Sequence, residues 1–403
     1  GIKIYDCTTT MDMISPSIAA LTPSLTLKVT NRAKAMKASG EEVYGLAGGE
    51  PEMDTPENIK QAAIAALNNG ATKYTPSAGL PALRQAIAEK LKRENNLEYD
   101  FTQITVGAGA KHACFNAIMA TVSEGDEVII PAPYWVSYPE MVRMCGGIPV
   151  IVETTAENGW KLTAEQFEEA MTPRTKMVIL TTPNNPTGVV YSAATLQKLA
   201  DLLYAKQKEY GHDIYIISDE PYREIVFEGT DSPFISSFYD NSICCYSFSK
   251  SLSLPGERIG YVAVNPKCKD AKLIVLMCGQ ISRFTGHNCP PSMIQLGVAE
   301  VIDKTADLSI YEKNKNILYK ELTNMGYECV EPGGTFYMFP KTPIADANAF
   351  CRMTASKLDL ILVPGDSFMC PGHMRLAYCT TTEMVERALP LFEKAMKLAK
   401  EME

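Results

Sequence analysis

Several common sequence signals are missing from this chain of 403 residues. Its twelve cysteines form no Cys-x-x-Cys pair and its four histidines no His-x-x-x-His pair, so we expect reduced thiols and no metal site. It lacks an apolar run of about 18 residues, a secretory signal and a basic presequence, and we therefore expect a cytoplasmic protein. The net charge of -9 argues against nucleic acid and anionic membranes as partners.

What the chain does contain is an alternation of short apolar runs with helix-period stretches between residues 50 and 300. The hydrophobic share of 46% is enough for a large core. We predict strands at 105–106, 127–130, 176–181, 214–217, 242–247 and 258–264. Strands that alternate with helices predict an α/β fold, with a mostly parallel sheet sandwiched by helices. Such sheets bind ligands at the carboxyl ends of their strands.

The segment 247–258 carries the strongest chemical signal. Lys250 lies just after an apolar run and among serines, and Arg258 follows eight residues later. A lysine in this position can act as an amine nucleophile toward a carbonyl compound, and serines with an arginine suit a phosphate dianion. Pyridoxal phosphate offers an aldehyde to the lysine and a phosphate to its neighbours, so we interpret the segment as its anchor. Taken alone, Lys250 would more often be a solvated lysine.

A carboxylate after a second apolar run fits the same cofactor. Asp219 follows the run 214–217 and precedes Tyr222 by three residues. Opposite a pyridine nitrogen, the carboxylate would keep that nitrogen protonated, which makes the ring an electron sink. Tyr222 can donate a hydrogen bond to the cofactor's phenolic oxygen. The alternative for Asp219 is the N-cap of a following helix.

Two turns carry further candidates. Asn185 belongs to the turn 182–188, which two prolines and a glycine make rigid, and it can direct its amide toward the phenolic oxygen and a substrate carboxylate. The glycine-rich turn 107–109 leads into a helix-like stretch, whose free backbone N–H groups and dipole favour anions. An ordinary Asx-Pro turn and glycines that only ease packing are the alternatives.

Taken together, these motifs resemble those of the pyridoxal-phosphate-dependent aminotransferases of fold type I, class I/II. The resemblance covers nearly the whole chain. The motifs follow the family's order: the Gly109 turn, Pro133-Tyr134-Trp135, Asn185-Pro186-Thr187-Gly188, Asp219-x-x-Tyr222, Ser247-x-x-Lys250, Arg258 and Arg375. Segments 73–79 and 133–140 are most similar to bacterial aspartate aminotransferases of the subgroup shared with prephenate aminotransferases.

The resemblance implies a domain organisation and an assembly. Residues 1–45 would form an N-terminal arm and part of the small domain, residues 46–300 the large cofactor-binding domain, and residues 301–403 a smaller C-terminal α+β domain. It also implies a homodimer with shared active sites, in which Tyr74 reaches the cofactor phosphate of the neighbouring subunit.

The resemblance also implies a role for each cofactor-binding residue. Lys250 would bind the cofactor covalently and then move a proton as general base, with Asp219 at the pyridine nitrogen. Tyr222 and Asn185 would bind the phenolic oxygen, and Trp135 would stack on the ring. The phosphate would meet Ser247, Arg258 and the backbone of Gly109, Ala110 and Lys111. Trp135 as an ordinary core residue is the alternative reading.

Substrate binding is implied at two places. Arg375 would clamp the α-carboxylate and Gly49 would add a backbone N–H, although a surface salt bridge and an ordinary turn are the alternatives. Thr26 and Lys111 match the residues that recognise a distal carboxylate in the resembling subgroup. Arg283 lies near the position at which other aspartate aminotransferases carry an arginine from the partner subunit, with loop charge as its alternative.

The implied reaction moves an amino group from an acidic amino acid, aspartate or glutamate, to a 2-oxo acid by a ping-pong mechanism. Segments 252–255 and 286–291 depart from the subgroup, so other specificities (prephenate, aromatic or alanine) stay open. A pyridoxal-phosphate-dependent C–S β-lyase is a further alternative. A cofactor-sensing regulator is disfavoured, because we find no helix-turn-helix region or basic face.

Overall fold

The computed structural model describes residues 13–403, and the strands of this part form three sheets. In chain order the strands are β1 (Tyr44–Gly45), β2 (Ile104–Gly107), β3 (Glu127–Ala132), β4 (Ile148–Glu153), β5 (Thr175–Thr181), β6 (Tyr215–Asp219), β7 (Ser242–Ser247), β8 (Gly260–Val264), β9 (Tyr337–Met338), β10 (Leu360–Ile361), β11 (Val363–Pro364) and β12 (Met374–Ala377). The central sheet has seven strands in the order β2-β8-β7-β6-β5-β3-β4. Only β8 runs antiparallel to its neighbours, which confirms the predicted α/β fold with a mostly parallel sheet.

The α-helices of the described residues are α1 (Pro16–Ala19), α2 (Leu25–Ala38), α3 (Glu57–Asn68), α4 (Pro81–Asn95), α5 (Gly109–Thr121), α6 (Ser137–Met144), α7 (Ala164–Ala170), α8 (Ala193–Tyr210), α9 (Ala271–Phe284), α10 (Ser292–Glu300), α11 (Ser309–Asn324), α12 (Ala347–Leu358) and α13 (Thr382–Glu401). Helices α3 to α10 pack against the two faces of the central sheet. None of these helices in residues 13–403 combines the length and apolar composition that crossing a membrane requires.

Strand β7 illustrates why the sheet needs two helical layers. All of its residues are buried, and Ile243 and Cys245 pack with α5 and α9. The alternate residues Cys244 and Tyr246 pack with α4 and α10 on the other face. Because successive side chains of a strand point to opposite faces, an uninterrupted apolar strand marks a sheet that is covered on both sides.

The strand prediction differs from the structure at two places. It missed β4, an edge strand whose residues are exposed or half-buried and which contains Pro149. Residues 148–152 are apolar, but a proline inside the run argues against a strand, and it is tolerated here because β4 lies at the edge of the sheet. Strand β8 begins at Gly260 and not at Arg258, because Arg258 has a left-handed backbone with φ of 50°.

The C-terminal part of the chain has an apolar core of its own. Strand β12 pairs antiparallel with β11 and β9, and α11, α12 and α13 contribute to the same core. Strand β1 pairs in parallel with β10, which joins residues 44–45 to this part of the molecule. The division of the chain at residues 45 and 300 stays a prediction.

The carboxyl edge of the central sheet gathers polar residues. Thr181, Asp219 and Ser247 are the last residues of the neighbouring strands β5, β6 and β7. Helix α5 begins two residues after β2 ends, at Gly109. This edge is where open α/β sheets bind ligands, as the sequence motifs predict.

Candidate active site

A cavity of about 930 Å³ lies at the carboxyl edge of the central sheet. Its walls come from α2, from the segment after β1, from the strand ends and from β12. Most residues that the sequence predicts for the site line this cavity: Thr26, Gly49, Ala110, Lys111, Trp135, Asn185, Asp219, Tyr222, Ser247, Lys250, Arg258 and Arg375.

Lys250 lies just after β7, at the middle of the cavity wall. Its Nζ donates a hydrogen bond to the Gly49 carbonyl oxygen, and it lies 5.9 Å from the ring centre of Tyr222 and 5.7 Å from that of Phe336. Loss of hydration among these groups lowers the pKa of Lys250 to about 8. The amine therefore loses its proton closer to neutral pH than an ordinary lysine, and the neutral amine is the nucleophilic form.

Asp219 is buried at the end of β6, and only one of its two carboxylate oxygens has a hydrogen-bond partner in the described residues. Its Oδ2 accepts a hydrogen bond from the Tyr138 hydroxyl, which lies 2.6 Å from the Thr181 hydroxyl. Its Oδ1 is buried and has no hydrogen-bond partner among residues 13–403. Burial raises the pKa of Asp219 to about 7. A cationic N–H donor in the cavity would satisfy Oδ1 and lower this pKa again.

An anion site lies where α5 begins. Gly109 has φ of 88°, and a Cβ at this position would lie 2.6 Å from Nη2 of Arg258, so only glycine admits the guanidinium here. The Ser247 hydroxyl is buried beside the Ser249 hydroxyl, at 2.7 Å. The helix N-terminus, the arginine and a serine hydroxyl together suit a phosphate dianion.

Arg375, on β12, is 2% exposed and held by neutral acceptors. Its Nη1 donates to Asn185 Oδ1 and its Nη2 to the Ala47 carbonyl oxygen, both at 2.9 Å. The Tyr337 ring lies 4.2 Å from the guanidinium carbon. Nε is buried without a hydrogen-bond partner among the described residues. A planar fork fixed in this way can bind a carboxylate with two hydrogen bonds.

The cavity has an excess of unpaired positive charge. Lys111, Lys250, Arg258 and Arg375 line it, and within residues 13–403 none of them forms a salt bridge with a carboxylate. Cations without protein partners indicate anionic ligands, since each of them lacks a counter-charge.

The candidates for the distal carboxylate separate into two groups. Thr26 and Lys111 line the cavity; the Thr26 hydroxyl oxygen is buried without a partner in the described part of the chain, and Lys111 Nζ lies 5.0 Å from the centre of the Trp135 ring. Arg283 is exposed near the end of α9 and does not line the cavity. Tyr74 is 90% exposed and lines a separate cavity of about 500 Å³.

The cavity-lining residues that sequence reasoning missed include Tyr138, Thr181, Tyr337 and Cys379. Tyr337 accepts a hydrogen bond from the Tyr222 hydroxyl at 3.0 Å. Tyr138 lies within the segment 133–140 that carries part of the family resemblance, and Tyr337 follows a glycine pair. Cys379 has no comparable local signal, because only the folding of β12 against the segment after β1 brings it to the site.

The sheet, the edge cavity and the lysine after β7 define a fold type I transferase. The model of the family "Aminotransferase class I and II" matches residues 41–390. An aspartate aminotransferase of Geobacillus stearothermophilus is 40% identical in an alignment of length 403, gaps included, that covers 95% of this chain and 99% of the relative. An aspartate/prephenate aminotransferase of Cereibacter sphaeroides is 38% identical in an alignment of length 400 that covers 94% of this chain and 97% of the relative.

Solved structures agree. An aminotransferase of Eubacterium rectale superimposes with a TM-score of 0.89 at 35% identity, covering 99% of each chain. The Thermus thermophilus aspartate aminotransferase with maleate gives 0.87 at 34% identity, covering 95% of this chain and 99% of that one. This chain therefore belongs to the class I and II aminotransferases, a family of pyridoxal-phosphate-dependent enzymes. The family and enzyme class predicted from the sequence are confirmed.

Proposed function

We propose that this enzyme binds pyridoxal phosphate and moves an amino group from aspartate or glutamate to a 2-oxo acid. The observation that carries the proposal is one cavity that holds the Lys250 amine, the unpaired Oδ1 of Asp219 and the Arg375 guanidinium, which is held by neutral acceptors only. Relatives that cover nearly the whole chain carry the name aspartate aminotransferase, which supports the acidic substrate.

The residues of the cavity fit the cofactor. Asp219 Oδ1 would accept the hydrogen bond of the protonated pyridine nitrogen, which removes the cost of an unpaired buried oxygen. Trp135 and Pro221 would enclose the ring, and Tyr222 and Asn185 would bind its phenolic oxygen. The phosphate would be held by Ser247, Arg258 and the backbone N–H groups of Gly109, Ala110 and Lys111.

Lys250 would have two roles. Its nitrogen would hold the cofactor through the aldehyde carbon, with the aldehyde oxygen leaving as water, and would be exchanged for the amine of the substrate. When bound, pyridoxal phosphate supplies an electron sink for the substrate α-carbon. The freed Lys250 amine would then take the proton from that carbon and deliver it to the former aldehyde carbon. Its lowered pKa suits a general base that works near neutral pH.

The substrate would be held at both ends. The two terminal nitrogens of Arg375 would bind the α-carboxylate, together with the Gly49 N–H, for which residues 13–403 offer no hydrogen-bond acceptor. Thr26 and Lys111 would bind the distal carboxylate of an acidic substrate. Because the amino acid and the oxo acid carry the same carboxylates, they would occupy the site in turn. The enzyme would keep the amino group between the two half-reactions, which gives ping-pong kinetics.

We also infer that the enzyme is a cytoplasmic homodimer in which the second subunit completes the site. Each subunit would consist of residues 1–45, 46–300 and 301–403 as its three parts. Tyr74 and Arg283 do not line the active-site cavity of the chain that carries them, and both lie on exposed segments that can face a partner. Leu276 and Phe284 on α9, the helix that carries Arg283, have exposed apolar side chains that could take part in such a contact. Measurement of the mass in solution tests the assembly, and a monomer that turns over at full rate would refute it.

The function is tested by mixing the loaded enzyme with one amino acid at a time, without an oxo acid, while the absorbance of the bound cofactor is followed. Rapid change with aspartate and glutamate is the expected result. An absorbance change with alanine or phenylalanine alone would leave the cofactor assignment standing and refute the proposal of an acidic substrate. Prephenate is tested as an acceptor in the second half-reaction. Release of ammonia from cysteine, without conversion of any amino acid, would identify a C–S β-lyase instead.

A further inference from the structure

The backbone segment 47–50 lines the cavity, and each of its consecutive carbonyl oxygens accepts a hydrogen bond from a side chain. Arg375 Nη2 donates to the Ala47 oxygen and Lys250 Nζ to the Gly49 oxygen. In the proposed function each of these donors also binds a ligand: Arg375 binds the α-carboxylate of the substrate, and Lys250 binds the cofactor. A lysine nitrogen that bonds to the cofactor gives up its hydrogen bond to the backbone, so this contact is lost during part of every catalytic cycle.

The remaining two carbonyl oxygens share one thiol. Cys379 Sγ lies 3.3 Å from the Gly48 oxygen and 3.3 Å from the Glu50 oxygen. Cys379 is 6% exposed, and burial raises the pKa of its thiol to about 12. At neutral pH the sulfur therefore keeps its proton and can donate, whereas a thiolate would repel both carbonyl oxygens. The Cys379 carbonyl oxygen in turn accepts from the Glu52 N–H at 3.1 Å.

Gly49 lies between the two residues that the thiol holds. The Gly49 N–H has no acceptor among residues 13–403. Gly49 lines the cavity, whose positive charges favour an anionic acceptor for this N–H. A Cβ on Gly49 would collide with the Tyr337 hydroxyl, 2.0 Å away, so the segment is fitted closely to this wall. A small shift of the flanking peptides would turn the Gly49 N–H away from a carboxylate held by Arg375.

We propose that Cys379 is a positioning residue whose thiol holds the Gly48–Gly49 peptide, which carries the Gly49 N–H, and the Glu50–Pro51 peptide, so that this N–H meets the α-carboxylate of the substrate. This proposal rests on the proposed function, which assigns the Gly49 N–H to that carboxylate. A thiol is a weak donor, so the expected effect is small and confined to carboxylate binding. Cys379 does not touch the substrate in this account and acts only through the backbone.

The test compares Cys379→Ala, Cys379→Ser and the control Cys278→Ala in the loaded enzyme. Cys278 is fully buried in α9, away from the cavity, so its variant reports the loss of a buried thiol alone. Cys379→Ala should weaken the apparent affinity for every amino acid that the wild type converts by about fivefold, with the rate constant within about twofold. Cys379→Ser keeps a donor and should bind within about twofold of the wild type.

Two further measurements separate positioning from general packing. Binding of succinate, followed by calorimetry, involves no turnover and should weaken by the same factor of about five in Cys379→Ala. The affinity for pyridoxal phosphate should stay unchanged in all three variants. Cys278→Ala should leave succinate binding as in the wild type.

Unchanged affinity for amino acids and succinate in Cys379→Ala would overturn the proposal. An equal loss in the alanine and serine variants, with weaker cofactor binding, would also overturn it and would assign Cys379 to packing. A loaded wild type that converts no amino acid would refute the proposed function, and the role of Cys379 with it. An active wild type beside an unaffected alanine variant would refute the role of Cys379 alone.

Discussion

The two ends of the cavity are built in different ways. The end assigned to the cofactor is formed by the last residues of neighbouring inner strands, and Asp219 and Ser247 there are each 3% exposed. The end assigned to the substrate side chain includes Thr26 on α2, a helix without a single buried residue. A sheet edge that is packed on both faces fixes its side chains firmly, whereas a lightly packed helix holds its side chains less firmly. We therefore call the end assigned to the cofactor the rigid end, and the end assigned to the substrate side chain the adjustable end.

The substitution Lys250→Ala breaks the rigid end most completely. Turnover should fall by at least about 10⁴-fold, because the variant loses the amine that moves the proton. Borohydride treatment should fix the cofactor to the wild type and no longer to the variant, as measured by the mass of the chain. Lys206→Ala, on α8 and outside the cavity, where Lys206 pairs with Glu209, is the control and should react as the wild type does. Fixation in Lys250→Ala would place the attachment at another lysine.

Asp219→Asn is expected to have the next largest effect. The amide has nearly the same shape but cannot hold a positive charge on the pyridine nitrogen, and turnover should fall by about 10³-fold. Steady-state rates measure the loss. An effect below about tenfold would mean that the unpaired Oδ1 does not face the cofactor.

The same residue predicts how stability depends on pH before the cofactor is bound. The pKa of Asp219 is about 7 in the folded chain and about 3.8 in the unfolded one, so between these values the folded state binds more protons. Stability therefore falls as the pH rises from about 4 to 7. Urea unfolding at pH 5 and pH 8 should reveal this loss in the wild type and a smaller one in Asp219→Asn. Equal pH dependence in the two proteins would contradict the assignment.

The contrast between the two ends also explains what the sequence could predict. Lys250, Asp219 and Asn185 follow apolar runs directly, so local patterns place them at strand ends and all of them line one cavity. Tyr337 and Cys379 reach that cavity only because the C-terminal part of the chain packs against the segment after β1, and no local pattern encodes such a contact. The edge strand β4 escaped prediction for a related reason, since its proline is tolerated only because the assembled sheet places this strand at the edge.

Arg375→Lys tests the carboxylate clamp shared by all substrates. Lysine keeps the charge but loses the planar fork, so it cannot donate to Asn185, to Ala47 and to a carboxylate in the same geometry. The apparent affinity for amino and oxo acids should weaken by about 30-fold, roughly the loss of one charged hydrogen bond. Because the α-carboxylate is common to all substrates, selectivity among amino acids should stay constant. Altered selectivity would mean that Arg375 contacts the substrate side chain and not the α-carboxylate.

Lys111→Met probes the adjustable end with the smallest expected effect. Methionine keeps an apolar stem near the Trp135 ring and removes the charge, while the backbone N–H assigned to the cofactor phosphate is retained. The preference for aspartate over alanine, measured as a ratio of kcat/KM, should fall by about tenfold, with cofactor affinity unchanged. Arg283→Met is the matched comparison, because Arg283 lies outside its own cavity and reaches a site only across a subunit contact. A larger loss of preference in Arg283→Met than in Lys111→Met would assign recognition of the distal carboxylate to the partner subunit, and specificity would then depend on assembly more than on Lys111 of α5.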